Sequence, residues 1–337
     1  MSRKSAVILS IAALVLLVSW LLFSQHQRTD VDPSAVGSGL GYVATADRKV
    51  HAVDLRRGVV VRQSAPIADM GQPTAIAYVV AESLLFVASA RGRGQNDYYP
   101  LVAVRPDVEF QVAGTYTPGG EALQTSAPNP NRSAIYTVVA SPDARTLYLG
   151  LAQSGAPPTT LFDRASGAIV GRSSVPILPE NYISPDGTRV AEVWPSGNRT
   201  VDEGGQRVLR EWPAGVLVRE IATGNVVSRH DLAGGQSLQP PWFVLSTPYV
   251  YIKPGTTELS VYNRATGEVT AGVDLQSLTG MTPVQATPIV VPDSGLVALS
   301  MVDSGGRGFV VVVDVAAERV SSRIEVGPMP TNVVLAE

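Results

Sequence analysis

Cysteine is absent from this chain, and that one absence removes disulfides, thiolate metal sites, thiol nucleophiles and a lipid-modified cysteine together. A domain without cross-links must be stable through its core alone. With 337 residues, 45% of them hydrophobic, the chain is long enough to build such a core. Charge is scarce as well: charged residues make up 16%, and a formal net charge of -3 supplies no basic face of the kind nucleic acid requires. Lysine is confined to Lys4, Lys49 and Lys253, so nearly all positive charge is arginine. The histidines are His26, His51 and His230, and none shares a local pattern with another ligand, which argues against a metal or Ser-His-Asp site built on them. The strings GRGQ and SGGRG lack the strand-loop-helix context of a nucleotide loop and read as turns.

What is present begins with a targeting segment. Arg3 and Lys4 precede an uncharged run from Ala6 to Phe23. As a helix it would span roughly 27 Å, close to the hydrocarbon thickness of a bilayer. The preceding positive charges favour a cytoplasmic N-terminus and place everything after Gln25 outside. A cleaved signal peptide is the rival reading, but the run ends in Leu22-Phe23-Ser24-Gln25 without a small-x-small site. The expected organisation is a membrane anchor at 1–25, a linker at 26–39 and one domain at 40–337, held in the periplasm or at the cell surface.

Beyond the linker the pattern changes to short alternating strands separated by turn residues. One element recurs: a strand, a polar residue and a tight turn ending in or near Gly. It reads HAVDLRRG at 51–58, TLFDRASG at 160–167, LVREIATG at 217–224 and SVYNRATG at 260–267, with looser copies at 102–109 and 311–318. Pro-Asp turns stand ahead of three copies, at Pro142-Asp143, Pro185-Asp186 and Pro292-Asp293. Copies spaced by about 43 to 58 residues predict an all-β propeller of four-stranded blades, six in number, or seven if 194–214 hides another. The domain opens on a second strand, GLGYVATAD, and stops after an isolated first-type strand at 331–337. Joining the two would close the ring and remove its open edge.

The segments GYVATADRKVHAVDLRRGVVV and VVVDVAAERVSSRIEVGPMPTNVVL resemble the YVTN-type, WD40-like β-propeller repeats of bacterial extracytoplasmic proteins. The resemblance covers most of residues 40–337. It implies the fold, and it implies no single activity, because such propellers include lactonases, large subunits of amine dehydrogenases and cell-wall-associated proteins.

In this strand order, the loop between a blade's second and third strands shares a face with the loop leading into the next blade. The long loops, 90–100, 117–132 and 194–214, belong to those two classes, which places them around the mouth of the central channel. Arg91, Arg93, Tyr98 and Tyr99 suit an anionic or sugar-like ligand by charge and stacking. The 194–214 stretch reads as a hairpin turning at Glu203-Gly204-Gly205, with Trp194 and Trp212 at its base, either packed on each other or forming a contact surface. Gln72, Gln239 and Trp242 sit where inner strands begin and so face the channel. Lactonase-like propellers hold a divalent cation near this position, and the resemblance points to Glu180, Asn181 and Asn332 as oxygen ligands. The expected role is a binding or scaffolding module for a protein partner or small extracytoplasmic ligand, with no catalytic residues and no cofactor. A metal-dependent lactonase-like hydrolase and a non-catalytic large subunit of a periplasmic redox enzyme are the alternatives.

Overall fold

The computed structural model describes residues 39–90, 101–116, 135–141, 143–151, 159–177, 181–184, 186–194, 197–203, 206–212, 214–231, 249–252, 256–263, 268–284 and 288–336. The membrane helix expected over 1–25 and the linker as far as residue 38 lie outside them. Among the described residues no helix is long and apolar enough to cross a membrane.

The strands build a β-propeller. The first blade holds β1 (Leu40–Thr45), β2 (Lys49–Asp54) and β3 (Val59–Gln63), and the second holds β4 (Gln72–Val79), β5 (Leu84–Ala90), β6 (Leu101–Arg105) and β7 (Gln111–Tyr116). The third is β8 (Ile135–Ala140), β9 (Thr146–Leu151), β10 (Thr159–Asp163) and β11 (Ala168–Ser173). The fourth uses β12 (Tyr182–Ile183) and β13 (Arg189–Trp194), then is interrupted by a separate hairpin, β14 (Gly197–Glu203) and β15 (Gln206–Trp212). It resumes with β16 (Gly215–Glu220) and β17 (Val226–Asp231). A three-stranded sheet follows: β18 (Tyr249–Ile252), β19 (Glu258–Tyr262) and β20 (Val269–Asp274). One helical turn, α1 (Leu275–Thr279), leads to the fifth blade. There β21 (Thr282–Pro283) and β22 (Ile289–Val290) both pair with β23 (Leu296–Val302), followed by β24 (Gly308–Asp314) and β25 (Arg319–Glu325). Finally β26 (Val334–Leu335) returns to β1 as the innermost strand of the first blade.

The expected count of six or seven blades is thereby corrected to five complete ones. The repeat ending at β20 shows three strands, and the residues ahead of it, 232–248, lie outside those described. The 194–214 stretch hides no seventh blade, because it is a two-stranded insertion within the fourth. Ring closure by the C-terminal strand is as expected.

Burial follows position in the blade. Both β1 and β24 are buried along nearly their whole length, because second and third strands are sandwiched between neighbouring blades on both faces. This is why FVVVV at 309–313 is a continuous apolar run. The outermost strands alternate instead, as in RVSSRIE of β25. Core clusters lie between blades: Val43, Val53, Val310, Val312 and Ile324 join the fifth blade to the first, and Phe86, Ala103, Leu149 and Phe162 join the second to the third. Each of the valine, leucine, isoleucine and phenylalanine side chains contributes on the order of 1.5–3 kcal/mol by leaving water.

Polar groups cross the same seams. Arg56 Nη2 donates to the Pro292 carbonyl at 2.7 Å, and the Tyr148 hydroxyl donates to the Gly187 carbonyl at 2.7 Å. The Arg164 guanidinium takes both oxygens of Glu82, one at 3.0 Å, while lying 4.9 Å over the Phe86 ring. Among the described residues, all six sheets of three or more strands share one irregularity. Their outermost strand carries one extra residue at the same height, at Val61, Ala113, Val170, Val227, Thr270 and Ser321. Such bulges bend and twist an edge strand, which spoils it as a template for pairing with another chain.

The recurring turn has a physical basis. Asp54 Oδ1 accepts from the Arg56 and Arg57 amides at 3.0 and 2.9 Å, and Gly58 closes the turn at φ +71°, a conformation open to glycine without a Cβ clash. Asp163 serves the Ser166 amide in the same way, ahead of Gly167 at φ +66°.

Candidate functional site

The mouth of the channel is built where second strands end. At the first blade, Ala46 N donates to the Pro328 carbonyl at 2.8 Å, and Ile67 N donates to the Arg48 carbonyl at 2.8 Å. The β1–β2 turn therefore meets both the loop leading into β26 and the loop leading into β4. That is the coincidence of loop classes the strand order requires.

Several sequence-predicted site residues fall outside the described residues: Arg91, Arg93, Tyr98, Tyr99, Glu180, Gln239 and Trp242. Gln72 opens β4, exposed, in register with Ala90. Asn181 donates through Nδ2 to the Pro176 carbonyl at 3.2 Å. Asn332 is buried, 5% exposed, and its carboxamide takes both backbone groups of Ile76: Oδ1 accepts from the amide at 3.3 Å and Nδ2 donates to the carbonyl at 3.4 Å. In this geometry Asn332 fastens the C-terminal segment to the inner strand of the second blade. Among the described residues no group of three or more His, Asp or Glu side chains stands together as a metal would need.

The hairpin expected at 194–214 is present. Its register runs from Gly197↔Trp212 to Glu203↔Gln206, and Trp194 pairs in register with Gly215 of β16. Both tryptophans thus stand at the base, Trp194 on the blade and Trp212 on the hairpin. The hairpin forms its own two-stranded sheet between the second and third strands of the fourth blade. Leu209, midway along β15, is 65% exposed, and Gln206 and Arg207 near the turn are exposed with it.

One constellation escapes the sequence reading. In Thr45-Ala46-Asp47-Arg48-Lys49-Val50-His51 the odd positions are polar, and the β1–β2 turn folds them together. Thr45 Oγ1 lies 2.5 Å from Asp47 Oδ1 and 3.1 Å from His51 Nε2, and Lys49 Nζ lies 2.9 Å from Asp47 Oδ2. A carboxylate only accepts, so the Thr45 hydroxyl donates to Asp47 and accepts from an Nε2–H on His51. That tautomer leaves His51 Nδ1 as a bare lone pair, with no hydrogen-bond partner among the described residues. His51 is 2% exposed, and burial pulls its pKa down to about 4, against a weaker upward pull from Asp47. Asp47 is held below the usual carboxylate range by hydrogen bonds from Thr45 and Lys49, which outweigh its partial burial. The polar-apolar alternation was visible in the sequence. That His51 points into a seam was not.

No family model matches the chain, and no curated protein matches it. Solved structures do. The dihydro-heme d1 dehydrogenase NirN in complex with DHE is 13% identical, over 91% of this chain and 76% of that one, with a TM-score of 0.46. A functionally unknown protein from Desulfotomaculum acetoxidans is 12% identical, over 88% of this chain and 99% of that one, with a TM-score of 0.48. TolB from Acinetobacter baumannii is 14% identical, over 89% and 67% respectively, with a TM-score of 0.41. The assignment rests on the chain's own topology: four-stranded antiparallel sheets in sequence order, closed by strand β26 on β1, make it a β-propeller.

Proposed function

We propose that this chain is a binding or scaffolding propeller, of YVTN-repeat type, carried on the extracytoplasmic side of a membrane by residues 1–25. Its working surface is the loop face around the channel mouth, and its partner is a protein. The observation that carries this reading is the β14–β15 hairpin. An isolated two-stranded sheet is marginal in water, and this one presents Leu209 at 65% exposure beside the polar Arg207. An inserted hairpin that joins no blade sheet leaves such an apolar side chain available to a partner. The reading requires no cofactor.

The test is crosslinking in native membranes, comparing the full chain with a variant in which a short Gly-Asn turn replaces 197–212. A crosslinked partner that disappears with the hairpin supports the reading. A partner retained without it moves the working surface elsewhere. Absence of any partner, together with turnover of a small substrate by the pure protein, overturns it.

A further inference from the structure

His51 stands in the seam that closes the ring. It lies opposite Val43 on β1, and both share a face with Val53, which packs against Ala298, Val310, Val312 and Ile324 of the fifth blade. None of those neighbours titrates, and on the other side β3 offers Gln63. The charges that act on the ring are Asp47 and Lys49 of its own hairpin, already engaged with Thr45 and with each other. The C-terminal segment docks on the same strand end. Thr331 exchanges two hydrogen bonds with Ala44, through Oγ1 at 3.0 Å and its amide at 2.8 Å, and a Cβ on Gly327 would stand 3.3 Å from Thr45 Oγ1.

We propose that His51 is an acid-sensitive latch on ring closure: a proton taken up at Nδ1 loosens the seam between the fifth and first blades and releases the C-terminal segment from β1. The neutral ring satisfies Thr45 and leaves a lone pair among valines, which is tolerable. The protonated ring keeps the Thr45 bond and adds an N–H with no acceptor among the described residues, beside apolar side chains. Opening the seam brings water to that N–H. Because the native ring is the weaker base, the unfolded or opened chain binds the extra proton first. The opening constant therefore rises as pH falls from about 6.5 towards about 4, and levels off below that.

Hydrogen exchange on the full-length protein in detergent micelles, at about pH 7 and about pH 4.5 and normalised to intrinsic rates, reads the latch directly. The amides of Ala46, Thr331 and Ala336 are expected to lose protection on acidification by roughly 60-fold, the ratio a single site shifted from about 6.5 to about 4 produces between those two pH values. The β9 amides of Leu147–Leu149 are expected to hold. His51→Gln keeps an amide donor for Thr45 and cannot take the proton, so its protection should not change with pH. Should that variant fail to fold, imidazole NMR of the wild type decides: with three histidines, the His51 ring must titrate below about pH 5, and the Ala46 amide must follow the same midpoint. Loosening that is uniform around the ring, equal pH dependence in His51→Gln, or a His51 ring titrating near 6.5 overturns the proposal.

Discussion

The first and fourth blades are copies of one repeat that put its tolerance to opposite uses. In the first, both ends of the domain converge. The C-terminal segment pairs with β1, takes the Ser300 hydroxyl of the fifth blade on its Thr331 carbonyl, and reaches Ile76 of the second through Asn332. Three blades are tied by residues 331–335. In the fourth, the equivalent second and third strands are forced apart in sequence by the β14–β15 hairpin. Its seam is also different chemically. Counting from the Ser184-Pro185-Asp186 turn, Glu192 occupies the place of Leu149 and Leu299, and by strand register Arg219 occupies that of Phe162 and Val313. The two are paired, Arg219 Nε to Glu192 Oε1 at 3.4 Å, and each is about a quarter to a third exposed. An ion pair so placed adds little stability over the apolar residues it replaces. The closure thus gathers contacts from three blades, whereas the fourth blade carries both a polar pair and an insertion.

The comparison breaks first if closure is dispensable. Truncation before Thr331 removes β26, uncovers the edge of β1 and unpairs Ile76; loss of cooperative folding, a change above about 5 kcal/mol, is expected by urea titration followed by circular dichroism. Asn332→Ala leaves a buried amide and carbonyl without partners and is expected to cost about 2–4 kcal/mol in the same titration. A matched glycine pair sharpens the point. Gly58→Ala meets both φ +71° and Ser322 Cβ at 2.6 Å across the seam, for about 3 kcal/mol, whereas Gly167→Ala, at φ +66° with nothing within 4 Å, should cost about 1. Replacing the hairpin by a short turn should leave the melting temperature within about 2 °C, since its strands pair only with each other among the described residues. The smallest effect belongs to the turn carboxylate Asp186, held down to about 2 chiefly by the Ser184 hydroxyl. Its contribution is complete above the ordinary carboxylate range and fades as pH falls towards 2. Asp186→Asn should therefore flatten the acid limb of stability below about pH 4 and change nothing near neutrality.

Much of this was legible. The recurring strand, polar residue and turn maps onto the hairpins between third and outermost strands, and at Asp54–Gly58 and Asp163–Gly167 a carboxylate at the first position and a positive-φ glycine at the last define that turn locally. The 194–214 hairpin was legible for the same reason. Less legible was Asn332, which sits where a channel ligand would but has its carboxamide on Ile76, 256 positions away in the chain. Nothing local distinguishes an amide facing water from one facing a neighbouring strand.

By itself, then, the sequence determined the repeat, its strands, its turns and the pairing of its last strand with its first, since each follows from local alternation, turn chemistry or an unmatched edge. Tertiary structure alone decided the bulge at one height in the outermost strands described, the Glu192–Arg219 pair at positions that are apolar in the third and fifth blades, and the gathering of Thr45, Asp47, Lys49 and His51 behind the closing segment. Those features depend on how neighbouring blades press on one another. That pressure comes from residues far apart in the chain, and no window of sequence contains it.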